Sequence, residues 1–281
     1  MWLYLALASA LFLGFYDIFK KKSLEKNSVM WVLFSVSVLS TVVLAPFFKG
    51  GEPRNFILLI PKGFLVTLSW ISGLIAMKRL PLTTASTIKA SRPVFVLVFS
   101  IILFGERLSL WQWAGVVLAI AALWMLSRSS GREGIHFSSN AGVMWMWVSV
   151  VSGAASALYD KYVIAQMEPM FVQCWSNLYI AILMGIVLLA KALKDGAERD
   201  RFRWDWHLLA TAAIIVVADA FYFFALKQEG AMLSVISLIR RFSVVITFIG
   251  SAIIFKENRI REKAVDLAVL MAGIVILVLA S

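Results

Sequence analysis

The sequence predicts an all-α membrane protein, with ten transmembrane helices arranged as two inverted five-helix repeats. Three observations lead there. Of 281 residues, 61% are hydrophobic, and the mean hydropathy is +0.87; soluble domains are only about half apolar. The apolar residues form long continuous runs, which suit spanning helices rather than the short alternating strands of a barrel. The second half of the chain echoes the first.

Breaks of charge, glycine or proline divide the chain into spans at 2–19, 29–48, 62–79, 83–104, 110–127, 141–162, 170–191, 206–226, 231–255 and 263–280. The first run, Trp2 to Phe15, lacks a basic leader, and its positive charges (Lys20 to Lys22) follow it, so it reads as a retained helix. Trp2, Trp31, Trp111, Trp113, Trp145, Trp147, Trp204 and Trp206 fall at span ends, where aromatic belts form; Trp70 lies inside the third span. The connections are short except around 49–61, 128–140 and 192–205, which read as solvated loops. Lys and Arg are denser in the connections after the odd-numbered spans, which predicts a cytoplasmic side there and both termini outside. The net charge of +11 does not form one basic stripe, so it gives no nucleic-acid surface. Cys174 is a lone cysteine in an apolar run and leaves no intrachain disulfide.

The repeat is visible in two segments. Leu80–Ser109 (LPLTTASTIKASRPVFVLVFSIILFGERLS) slides onto Ala231–Ile260 (AMLSVISLIRRFSVVITFIGSAIIFKENRI) by about 151 residues without gaps. Ser86 then meets Ser237, Lys89 meets Arg240, and Glu106 meets Glu257. A second echo joins Gly14-Phe15-Tyr16-Asp17 to Ala157-Leu158-Tyr159-Asp160. Residues 1–127 and 141–281 are thus two five-span units joined by a linker at 128–140. Because five is odd, the second unit enters the membrane in the opposite sense.

The chain resembles the drug/metabolite transporter superfamily in its EamA-type ten-helix form. The resemblance rests on the two five-span halves and on the corners Phe104-Gly105-Glu106-Arg107 and Phe255-Lys256-Glu257-Asn258, each followed by a small-residue-rich helix (Gly115 and Ala122; Gly273). Asp266 departs from the glycine usual in that helix. The resemblance implies a central cavity lined by helices 3, 4, 8 and 9. It does not imply one substrate class, because the superfamily carries amino acids, amines, nucleotide sugars, sugar phosphates and lipid-linked precursors.

Ionisable residues deep in spans cost several kcal/mol unless paired or hydrated, so they are the strongest functional pointers. Lys89 and Arg92 in the fourth span, and Arg240 and Arg241 in the ninth, lie roughly 9–15 Å from their helix starts. Pro93 removes a helical hydrogen bond to the Lys89 carbonyl and should kink the fourth span. Asp219 is the one deep acid; with four deep bases, the surplus positive charge predicts an anion site. Arg240 and Arg241, about 100° apart on an ideal helix, should not both face one small ligand. The pairs Tyr16-Asp17 and Tyr159-Asp160 read as gates, as orienters of Lys89 and Arg240, as proton-coupling carboxylates, or as interfacial partners of Lys20 and Lys161. Trp70, Tyr179, Tyr222 and Phe224 could form an aromatic wall.

His136 and His207 have no partners at metal-ligand spacing, and no phosphate-binding glycine loop occurs, so neither a cofactor, a metal, an ATP-driven pump nor an enzyme is indicated. The reading is therefore a secondary transporter of a small, phosphorylated or carboxylated organic anion, a monomer in a bacterial inner (plasma) membrane. Branches of the superfamily that carry phosphate esters use basic residues in these helices, which the Arg240-Arg241 pair resembles. Two rivals remain: an exporter of amino acids or organic cations using Asp219, and a lipid-head-group flippase or accessory membrane subunit.

Overall fold

The computed structural model describes residues 2–92, 94–96, 99, 110–131, 137–194, 202–229, 231, 236, 239–254 and 260–279. The corners around Glu106 and Glu257, together with Pro93 and His136, lie outside these residues. Every regular element described is helical. The α-helices are α1 (Trp2–Ser23), α2 (Val29–Leu44), α3 (Pro53–Arg79), α4 (Leu82–Ala90), α5 (Leu110–Gly131), α6 (Ala141–Gln166), α7 (Pro169–Lys194), α8 (Trp206–Lys227), α9 (Ser243–Ile254) and α10 (Ile260–Leu279), with a short 3₁₀ turn at Ala45–Phe47. Six described helices are long and apolar enough to cross a bilayer: α1, α2 with its 3₁₀ extension, α3, α6, α7 and α8.

Several helices are longer than the apolar runs indicated; α5, α6 and α7 run past the expected ends at 127, 162 and 191. α1 continues past position 19 to Ser23, and α3 begins at Pro53 rather than 62. Pro61 inside α3 does not end it. The connection expected over 49–61 is correspondingly short.

α1 shows why the fold belongs in lipid. Leu3, Leu7, Leu11 and Phe15, one stripe at helical spacing, are exposed. Ser9, Ala10 and Asp17 face inward and are buried. Such inversion, apolar residues outward and small or polar ones inward, suits a solvent that is itself apolar. Small residues permit close helix approach: a Cβ on Gly14 would sit 2.5 Å from Cβ of Ile246 in α9. The Ser9 hydroxyl donates to the Ala218 carbonyl of α8 at 2.7 Å.

The principal packing pairs are α3 with α6, α5 with α10, α1 with α8, and α2 with α7. α3 also packs on α7, α2 on α8, α1 on α9, and α4 on both α6 and α9. Helix ends are secured by side chains. Asn140 caps α6 by accepting from the Gly142 and Val143 N–H groups at 2.8 and 3.3 Å. Lys21 donates to the Met77 and Leu80 carbonyls at the end of α3. Lys227 does the same for the Ile164 and Met167 carbonyls at the end of α6, at 3.3 Å each.

Candidate functional site

Where α1, α3, α4, α6 and α8 converge with the segment before α9, they enclose a cavity of about 160 Å³. Six cations line it: Lys20, Lys62, Lys89, Arg92, Arg240 and Arg241. Asp160 and Asp219 line it too, while Asp17 sits behind Lys89. Tyr16, Trp70 and Tyr222 supply aromatic wall.

Three ion pairs organise these charges. Lys89 Nζ, from α4, donates to both oxygens of Asp17 on α1, at 2.8 and 2.7 Å. Arg240 Nη2 donates to Asp219 Oδ1 on α8 at 2.9 Å, with its guanidinium stacked 3.9 Å over the Tyr222 ring. Lys62, from α3, pairs with Asp160 on α6, its ammonium 4.9 Å over the Phe223 ring. Among the described residues Asp17 is thus ion-paired with Lys89 and not with Lys20. The parallel expectation for Asp160 is corrected: it holds Lys62, and Arg240 is held by Asp219. The reason lies in what α3 and α8 present, a cation in one case and an acid in the other.

Three cations remain without a carboxylate partner among the described residues: Lys20, Arg92 and Arg241. Arg92 reaches across to the α3–α6 crossing. There, Ser69 donates to the Ser149 carbonyl at 2.8 Å, and Ser149 donates back to the Ser69 carbonyl at 2.7 Å. The Arg92 guanidinium rests on this serine clasp, 3.4 Å from Ser69 Oγ and 3.5 Å from the Ser149 carbonyl oxygen. It fills the space left by the missing side chain of Gly153, where a Cβ would overlap it. The Nε atoms of Arg92, Arg240 and Arg241 are buried with no hydrogen-bond partner. Buried unpaired donors on cationic groups are costly.

Arg240 and Arg241 both line the cavity, contrary to the expectation from an ideal helix. The chain tightens there: the Phe242 N–H bonds to the Ile239 carbonyl and the Val245 N–H to the Phe242 carbonyl, both at 3.0 Å and both i→i+3. The turn interrupts regular helix just after the arginines and does not itself bring them together, because three residues per turn sets neighbours about 120° apart. The same pair of bonds recurs at Ser91, from Ser91 N–H to Ile88 and from Val94 N–H to Ser91, at 3.1 and 3.0 Å. Ser91 and Phe242 are equivalent under the 151-residue slide. Ser91 precedes Pro93, whose own geometry falls outside the described residues; no proline or glycine accounts for the turn at Phe242.

The remaining expectations divide. Trp70 and Tyr222 line the cavity, as does Tyr16. Tyr159 does not; its hydroxyl donates to the Leu58 carbonyl at 2.8 Å. Tyr179 donates to the Phe56 carbonyl at 3.2 Å, and Phe224 faces outward, so Phe223 takes its place in the wall. His207 packs beside Asp205, its Nδ1 2.6 Å from Oδ1, at the start of α8. No metal-binding group of three or more His, Cys, Asp or Glu occurs among the described residues.

Sequence reasoning missed Lys20 and Lys62, both buried. Lys20 stood one position beyond the span end at 19 and read as an interfacial partner, and Lys62 was itself the first residue of the span expected at 62–79. Lys20 had a usable signal, because it lies three and four residues from Asp17 and Tyr16 and shares their helix face. Ser69, Ser149 and Gly153 carried no signal legible in one dimension.

Comparison with known proteins agrees with the architecture. The EamA-like transporter family matches residues 1–128 and 140–279. An uncharacterized transporter of Synechocystis is 25% identical over 213 residues, covering 68% of this chain and 62% of that protein. Protein CLT3, chloroplastic, of Arabidopsis thaliana is 25% identical over 181 residues (53% and 40% of the two chains). The uncharacterized transporter YxxF of Bacillus subtilis is 18% identical over 162 residues (58% and 50%). The matched region therefore spans between 40% and 62% of the length of these relatives. A crystal structure at 15% identity superposes with a TM-score of 0.63 over 97% of this chain and 99% of that one, which concerns the fold alone. The family and the two uncharacterized relatives are named as transporters, not enzymes. With its apolar helices and a family match over nearly its whole length, the chain is an integral membrane protein that belongs to the EamA-like transporter family.

Proposed function

We propose that the protein is a secondary-active transporter that moves a small phosphorylated or carboxylated organic anion by alternating access. The observation that carries this reading is the charge of one buried cavity: six cations, three carboxylates, and three cations with no carboxylate partner among the described residues. In a low-dielectric site that surplus attracts an anion, and the arginine forks match phosphate or carboxylate oxygens. Lys89, Arg92, Arg240 and Arg241 bind the charge, with Asp219 trimming the field and Trp70 and Tyr222 walling the site. Tyr16, Asp17, Tyr159, Asp160 and Pro93 belong to gating or coupling.

The moving parts are two inverted five-helix repeats, about 1–127 and 141–281, joined at 128–140. The packing supports this division. Exchanging α1–α5 with α6–α10 turns the α1–α8 contact into α6–α3, α2–α8 into α7–α3, and α1–α9 into α6–α4. The pairs α5–α10, α2–α7 and α4–α9 map onto themselves. The matched turns at Ser91 and Phe242 place interrupted helices beside the cavity, as in other inverted-repeat transporters. We assign the protein to a bacterial plasma membrane, acting as a monomer.

The test is thermal unfolding of the purified protein against phosphate, sugar phosphates, nucleotide sugars, carboxylates, amino acids and quaternary amines. A ligand at 100 times its Kd adds about 2.7 kcal/mol of stability. Stabilisation by an anion that is lost in Lys89→Ala and Arg240→Ala is the expected result. Stabilisation only by amines or amino acids, unchanged in both variants, would overturn the reading and favour recognition by Asp219.

A further inference from the structure

Lys20 adds to the positive surplus of the cavity but takes no direct part in the binding assigned above, and it is the least explained charge among the described residues. It is 5% exposed, carries no ion pair among the described residues, and lines the cavity. Its ammonium lies over two rings, 4.8 Å from the Tyr16 centroid and 5.7 Å from that of Trp70. Aromatic faces steady a cation without neutralising it, so its capacity for an anion stays open. Trp70 is also the immediate neighbour of Ser69, the residue on which Arg92 rests. Consecutive residues of α3 thus seat two unneutralised cations, one from α1 and one from the segment after α4, in a single small cavity.

We propose that Lys20 forms a second acid-binding subsite, so that the transported anion carries two separate acidic groups. One acid takes the guanidinium side of the cavity, where Arg92 and Arg241 have unpartnered Nε atoms. The other takes the Lys20 ammonium between Tyr16 and Trp70. Lys20 on one side of the cavity and Arg92 and Arg241 on another suit a molecule bearing an acid at each end. Dicarboxylates and phosphocarboxylates are the class that fits. The inference rests on the anion reading and adds to it the number and spacing of the acids.

Succinate and butyrate, which share a four-carbon chain but carry two acids and one, separate these claims. Their Kd values are measured by thermal shift on the full-length protein, the Lys20→Met variant and the Lys20→Arg variant. Wild type binds succinate at least tenfold more tightly than butyrate, as expected for one added charge-assisted contact. Lys20→Met abolishes that preference by weakening succinate and leaving butyrate unchanged, and Lys20→Arg retains it. Unchanged butyrate binding also shows that Lys20→Met is folded. Equal binding of the two ligands by wild type, or equal weakening of both by Lys20→Met, overturns the two-acid inference while leaving the anion site standing. Failure of wild type to bind any anion removes the anion reading, and this inference with it.

Discussion

The two Tyr-Asp pairs begin as near copies in sequence and end with different neighbours. Tyr16-Asp17 on α1 is divided: Tyr16 lines the cavity, and Asp17, behind the wall, holds Lys89 of α4. Tyr159-Asp160 on α6 is divided the other way. Asp160 enters the cavity and holds Lys62 of α3, while Tyr159 turns away to the Leu58 carbonyl. The difference follows from the helices that are equivalent in the proposed repeat. α3 offers a cation, Lys62, where α8 offers an acid, Asp219. Asp160 therefore finds its partner on α3, and Arg240, the counterpart of Lys89, finds its partner on α8. Equivalent positions place side chains; the sign of the charge facing them decides what they bond. One consequence is asymmetry of the surplus. Lys20, three residues after Asp17, has Val163 as its counterpart on α6, so among the described residues the α1 side carries an ammonium without a carboxylate partner where the α6 side carries a valine.

The largest effect that would break this comparison is at the tighter pair. Lys62 is 3% exposed and Asp160 10%, so Asp160→Asn strands a buried ammonium and should cost about 3–5 kcal/mol. Adding Lys62→Met should recover most of that loss. Denaturant or thermal unfolding of the wild type and both variants checks both statements; no recovery in the double variant would show that the lysine is not held chiefly by this carboxylate.

Asp17→Asn should cost less, about 1–3 kcal/mol, because Lys89 is 20% exposed to the cavity and retains hydration. It should also raise anion affinity, since one more cation is released. Isothermal titration with the anion found in the ligand screen reads that sign, and weaker binding would contradict it.

Two glycines give the next contrast. Gly14→Ala meets Cβ of Ile246 at 2.5 Å, where only a shift of α1 against α9 gives relief, and overpacking of that kind costs about 1–3 kcal/mol. Gly153→Ala meets only the movable end of Arg92, so stability should hold while anion affinity falls about tenfold as the guanidinium leaves its seat. Unfolding and binding measured on the same two proteins should show opposite patterns. Tyr159→Phe, which removes one hydrogen bond outside the cavity, should lower stability by about 1 kcal/mol and leave binding untouched.

The smallest effect lies outside the membrane-spanning segments. Burial alone would push the Asp205 carboxyl up. Hydrogen bonds from the His207 side chain and backbone, and the Lys26 ammonium at 3.3 Å, outweigh it and hold the group below the usual carboxylate range. A depressed folded-state value stabilises the protein above the unfolded pKa of about 3.9, and that contribution is lost as pH falls through the lower folded-state value. Asp205→Asn, which retains a capping oxygen, should flatten the pH dependence of stability below about pH 4.

Much of the architecture was legible because lipid imposes a one-dimensional rule: an apolar run long enough to span must become a helix. The same rule exposed Lys89, Arg92, Asp219, Arg240 and Arg241, since charge inside such a run is conspicuous. It hid Lys20 and Lys62, because a lysine at the margin of a run looks like an interfacial anchor until the helix is seen to continue past it. The helical character and the excess of basic residues within apolar runs were determined by the sequence alone, through residue type and spacing. Which acid holds which base, how two adjacent arginines reach one cavity, and how Gly153 makes room for Arg92 were decided only by tertiary structure. Those outcomes depend on contacts between α1, α3, α4, α6, α8 and the segment before α9, residues 20 to more than 200 positions apart, whose approach no local pattern encodes.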